Sequence, residues 1–135
     1  MNNYTQMFVE LLDLMELTLE KDDDGYVVFD NQVGSYRHDK AVYSNASHIF
    51  DDTEAFINDY IVRALEDTEK DLIGTEYDYR DLQDYVNYLK NTEVYREAKW
   101  DVDVLDMICN HSDEINLNEA YNQIRKWGKE ICIIF

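Results

Sequence analysis

Glu20, Asp22, Asp24 and Gly25, in the stretch EKDDDGYVVFDN (20–31), are the first residues whose types and spacing could do chemistry. An EF-hand loop takes oxygen ligands from positions 1, 3, 5 and 12 and turns on a glycine at position 6. With Gly25 at position 6, the three carboxylates fall at 1, 3 and 5, and Val27 takes the apolar position 8. Position 12 is Asn31, which lacks the bidentate carboxylate that closes the coordination sphere, and Asp30 stands one place too early. The following residues QVGSYRH do not form an amphipathic exiting helix. The segment therefore reads as a helix C-terminus followed by a turn, and a weak calcium site of another type stays open.

Other reactive groups are sparse. His38, His48 and His111 stand in no HxxxH or HExxH relation. Cys109 and His111 present two ligand types, but a two-residue offset without a second pair is weak for zinc. Their adjacency also differs from the long-range arrangement of cysteine hydrolases. A buried cysteine and a surface histidine after a helix account for both. The glycines at 25, 34, 74 and 128 are scattered and form no phosphate loop. With 30 Asp and Glu, any carboxylate pair picked as general acid and base would be arbitrary. No catalytic residue, metal or cofactor is expected.

The elements that must position any site follow from periodicity. Residues 4–20 place Phe8, Leu11, Leu12, Met15 and Leu19 at helical spacing, and Gly25 ends that unit. YVVFD (26–30) and DKAVYS (39–44), with VGSYRH (33–38) between them, predict a two- or three-stranded antiparallel meander. Asp51, with Glu54 three residues on, marks a helix start, and Ile57, Ile61, Ala64, Leu65 and Leu72 form its stripe until Gly74. Thr75 or Asp78 caps a second helix carrying Leu82, Tyr85, Val86 and Leu89. WDVDVLDMIC (100–109) alternates at first like a strand, but Trp100, Val104, Leu105 and Ile108 favour a helix. Asn116 or Asn118 starts a last helix with Ala120, Tyr121, Ile124 and Trp127 inward, ended by Gly128. ICIIF (131–135) reads as a strand, buried on both faces or pairing with another chain. The fold class is α+β: a small antiparallel sheet packed by four or five helices in a single domain, residues 1–135.

Length and composition suit that class: 135 residues with 45% apolar content supply a core. No run of 18 apolar residues exists, and MNNYTQMFVE lacks the features of a signal peptide, so a cytoplasmic protein without a membrane span is expected. Two cysteines form no framework and fit a reducing compartment. Proline is absent, which leaves Gly, Asp and Asn to punctuate the chain.

Charge is the outlier. Thirty acidic residues against twelve Lys and Arg give a net charge of -18. Direct binding to DNA or RNA phosphates is strongly disfavoured, while whatever binds those phosphates is attracted. Between Asp51 and Asp84 stand twelve carboxylates and only Arg63, Lys70 and Arg80, a net of -9. On the helices expected there, Asp52, Asp59, Glu66, Glu69, Asp81 and Asp84 fall away from the apolar stripes. Such rows differ from the alternating signs of a salt-bridged surface. Tyr77, Tyr79, Tyr88 and Tyr95 are interleaved with them and could stack on a partner's arginines. A merely solubilising acidic surface is the plain alternative.

In size, charge, low proline and richness in Asn and Tyr, the chain resembles the small acidic anti-CRISPR and anti-restriction proteins of phages and mobile elements. That resemblance implies an inhibitor that mimics nucleic acid and occupies the basic surface of a nuclease or CRISPR effector. It rests on overall character, so it assigns no residue-level role. An immunity protein or antitoxin against a basic toxin is a second class with the same signature. A third is an adaptor that adds ICIIF as a strand to another sheet, and the same segment could join two copies into a homo-oligomer.

Overall fold

The computed structural model describes residues 1–30, 34–35, 41–52 and 82–134. The chain is an α+β protein whose described residues form six α-helices, one 3-10 turn and a small antiparallel sheet. It divides into two compact units, Met1–Asp52 with Ser112–Phe135, and Thr53–His111.

The first unit begins with α1 (Asn3–Leu14). The Asn2 side chain accepts a hydrogen bond from the Thr5 amide at 2.7 Å, satisfying one of the orphan donors of a helix start. The same side chain donates to the Glu114 carbonyl at 2.8 Å, so the cap also holds a distant segment. Phe8, Val9, Leu11 and Leu12 are fully buried. Each large side chain among them contributes roughly 1.5–3 kcal/mol relative to exposure. Thr5 is the buried polar residue of the helix, and its hydroxyl accepts from the Asn116 amide at 3.0 Å.

Helix α1 stops earlier than the apolar spacing predicts. Glu16 has φ 58°, the left-handed conformation that closes many helices. The chain then leaves as a strand, so the expectation of one helix over 4–20 is corrected. Strand β1 (Leu17–Asp22) pairs antiparallel with β2 (Gly25–Asp30), which pairs with the two-residue β3 (Gly34–Ser35). The register sets Leu17 and Leu19 beside Asp30 and Val28 on one face, and Asp22 opposite Gly25 across a two-residue turn. Leu17, Leu19 and Val28 are buried, and β1 packs with α1 and with α6 (Leu117–Ile134).

On the other side of β2, Tyr26 exchanges two backbone hydrogen bonds with Tyr43, at 3.0 and 2.7 Å. A Cβ on Gly25 would lie 2.6 Å from the Tyr43 carbonyl oxygen, so only glycine admits this approach. The expected strand at YVVFD and part of the one at 33–38 are thus present, whereas 41–44 of the expected DKAVYS strand make only an isolated bridge at Tyr43, and β1 is a strand the periodicity assigned to helix.

Helix α2 (Ala46–Asp52) starts five residues before the expected Asp51. Asn45 caps it, its Oδ1 accepting from the His48 amide at 3.1 Å. Ile49 and Phe50 face inward, and Phe50 meets Phe8 edge to face at 5.9 Å. The stripe from Ile57 to Leu72 and the Thr75 or Asp78 cap lie outside the described residues. Helix α6 begins where the Asn116 alternative puts it, with Asn116 Oδ1 accepting from the Glu119 amide at 3.0 Å. It does not end at Gly128 but runs to Ile134, so ICII (131–134) is helical rather than a strand. A glycine inside a helix costs about 1 kcal/mol, which longer-range packing can override. A helical backbone satisfies its own hydrogen bonds and offers no edge, which removes the basis for strand addition or strand-mediated oligomerisation.

The described part of the second unit is helical: α3 (Leu82–Lys90), α4 (Val94–Glu97) and α5 (Lys99–Asn110). Tyr85, Val86 and Leu89 of α3 are fully buried, as are Val102, Val104 and Leu105 of α5, and the two helices pack together. The helix reading of 100–109 holds, but Trp100 is 37% exposed and leaves the inward stripe expected for it. No helix among the described residues is long and apolar enough to cross a membrane.

Candidate partner-binding surface

Of the nine residues expected to meet a partner, Asp59, Glu66, Glu69, Tyr77, Tyr79 and Asp81 lie outside the described residues. Asp52 occupies the last helical position of α2. Asp84 and Tyr88 are placed together. They stand four residues apart on α3, hence neighbours on one helical face. Burying Tyr85, Val86 and Leu89 turns that face outward, where Asp84 is exposed and Tyr88 is 48% exposed. Asp84 lies in the first turn of α3, where the helix dipole favours a negative charge. Gln83, Asn87 and Asn91 extend the polar surface, with Gln83 Nε2 donating to Asn87 Oδ1 at 3.1 Å.

The described cations of this unit are engaged by its own carboxylates. Residues 82–111 carry six Asp and Glu against Lys90, Arg96 and Lys99. Lys90 reaches Asp106 at 3.2 Å, Arg96 reaches Glu93 at 3.3 Å and Lys99 reaches Asp103 at 2.6 Å. The Asp103 hydrogen bond and charge raise the Lys99 ammonium above its ordinary pKa, which keeps the pair ionised. Asp84 and Glu97 have no partner among the described residues.

Tyr95 departs from the adhesive role expected of it. Its hydroxyl donates to Asp103 Oδ1 at 2.9 Å, and the Lys99 ammonium sits 5.7 Å from its ring centre. The ring and hydroxyl complete an internal cluster. Cys109 is partly buried, and burial first, then the Asp106 charge, push its thiol up to about 11. A thiol held protonated at neutral pH is a poor nucleophile and a poor metal ligand.

Residues 20–30 form two strands and their tight turn, so the twelve-residue loop that an EF-hand wraps around an ion has no counterpart here. The turn itself is where the sequence reading has it, but a strand rather than a helix end enters it. Among the described residues no group of three or more His, Cys, Asp or Glu could hold a metal ion.

Spacing could have flagged one further constellation that sequence reasoning passed over. Ser44, His48 and Asp51 lie at i, i+4 and i+7, and Ser44 Oγ stands 2.9 Å from His48 Nδ1. The chain matches no protein-family model, no curated protein and no solved structure.

Proposed function

We propose that the protein is an acidic, nucleic-acid-mimicking inhibitor that occupies the basic nucleic-acid-binding surface of a partner, such as a host-defence nuclease of the CRISPR or restriction type. It acts in the cytoplasm by binding and carries out no reaction. The observation that supports this reading is the outer face of α3, where the Asp84 carboxylate, without a partner among the described residues, stands one helical turn from the exposed Tyr88 ring. A carboxylate replaces a phosphate as the charge that a Lys or Arg groove recognises, and a tyrosine ring offers a face to a guanidinium. Lys90, Arg96 and Lys99 of the same unit are paired internally, so they oppose such a groove less than free cations would. The net charge of -18 steers association and makes it salt-dependent.

The test immobilises the full chain, retains host proteins at low salt and elutes them by a salt gradient, with duplex DNA or RNA as competitor. A nucleic-acid-binding protein released by salt and by competitor is the expected result, with Asp84→Lys/Tyr88→Ala weakening retention roughly tenfold. Stoichiometric capture of one toxin that nucleic acid cannot displace would replace this reading with the immunity-protein class. Retention unaffected by competitor, salt and substitution would end it.

A further inference from the structure

Ala41, Val42, Tyr43, His48 and Asp51 line an open concavity of about 450 Å³ beside α2. Its described walls are of three chemical kinds. Ala41 and Val42 supply aliphatic surface, with Val42 40% exposed. His48 supplies a planar ring, whose orientation the 2.9 Å contact between Nδ1 and Ser44 Oγ restrains. Asp51, three residues further along the helix, supplies an exposed carboxylate with no partner among the described residues.

We infer that this concavity receives an arginine side chain of a basic partner. The aliphatic stem would lie on Ala41 and Val42, since long basic side chains bury their methylenes and keep the charge wet. The guanidinium plane would stack on the His48 ring, and its N–H fork would donate to the Asp51 carboxylate. Lysine matches this lining less well, because an ammonium is a compact point charge without a plane to stack. A divalent metal is matched less well again, since one imidazole and one carboxylate fall short of a tetrahedral site. The charge of -18 raises the local concentration of any cationic group. The inference rests on the proposed basic partner and gives it an anchor in the first unit, apart from Asp84 and Tyr88.

The test titrates the labelled full chain with N-acetyl-arginine methylamide, and separately with the lysine and norvaline analogues, reading amide, Val42 methyl and His48 ring resonances by NMR. Saturable shifts centred on Val42, His48 and Asp51 are expected for arginine, weaker ones for lysine and none for norvaline. Asp51→Asn should weaken arginine binding about two- to fivefold, the range of an exposed charged contact. His48→Ala should also weaken it and remove the preference over lysine. Either substitution is at an exposed residue, and an unchanged amide spectrum elsewhere verifies the fold. No saturable shift, equal binding of lysine or norvaline, or indifference to both substitutions would overturn the inference. Because the probe is a free amino-acid derivative, such a failure leaves the Asp84 and Tyr88 reading standing. Conversely, loss of that reading in the retention experiment leaves these shifts unchanged.

Discussion

Among the described residues, the two units engage their cations in different ways. In α3–α5 the cations reach carboxylates: Lys90 with Asp106, Arg96 with Glu93, Lys99 with Asp103. In the first unit Lys21 and Arg125 lie instead over tyrosine rings, at 5.9 Å from Tyr26 and 5.5 Å from Tyr121. Those two rings meet edge to face at 6.2 Å, joining the hairpin to α6. Glu20 and Asp24, near the hairpin turn, have no partner among the described residues. Pairing a cation with an acid reduces the local field of both to that of a dipole, whereas a cation placed over a ring offsets the acids less directly. The location of negative charge is therefore set by which neighbours the cations find, and composition alone does not specify it.

The comparison can be broken most forcefully through the two cores. Leu105→Ala removes a fully buried side chain of α5 and should cost about 2–5 kcal/mol, read as a shift of the urea midpoint. Hydrogen exchange should then show faster opening of α3 and α5. Gly25→Ala is the counterpart in the sheet unit. Its Cβ would press on the Tyr43 carbonyl at 2.6 Å and on Val42 Cγ1 at 2.9 Å. A cost of about 1–3 kcal/mol is expected, with loss of protection at the Tyr26 and Tyr43 amides. An unchanged midpoint would show that the strand crossing contributes nothing.

Glu16→Gly acts in the opposite direction. Glycine enters the left-handed region without the penalty of a Cβ, so a gain of at most about 1 kcal/mol, read from the urea midpoint, is expected at φ 58°, reduced by the loss of the Glu16 side chain's own interaction. The smallest effect belongs to the charge pairs. Asp103→Asn should lower the urea midpoint only slightly, because its Lys99 partner is fully exposed and an Asn oxygen can still accept from Tyr95. Its sign with pH is fixed: Lys99 is raised above 10.5 in the folded state, so the pair's contribution is complete below pH 10.5 and lost as pH rises through the raised value. Chemical denaturation of wild type and Asp103→Asn across that range should show a gap that is constant up to pH 10.5 and narrows above it. A gap closing near neutrality would contradict the pairing.

Asp84 and Tyr88 could be placed on one surface from sequence because the buried set Tyr85, Val86 and Leu89 fixes the phase of α3 within nine residues. Tyr95 could not be read the same way. Its partner Asp103 is eight residues away on another helix, and no periodic rule links them. Trp100 shows the same limit: it fits the α5 stripe by spacing, yet it is 37% exposed at the helix start.

The sequence by itself determined the net charge of -18, the α+β class, the helical stripes of α1 and α3, and the α6 start to within Asn116 or Asn118. Each of these depends on composition or on residues within one or two turns. Only the tertiary structure decided that Leu17–Asp22 is a strand and that ICII (131–134) is helical. Leu19 suits the apolar face of a helix or a strand equally, and the choice was made by its pairing with Val28 and by the left-handed turn at Glu16. A short apolar run carries no period that separates the two states, so what surrounds it in space must choose.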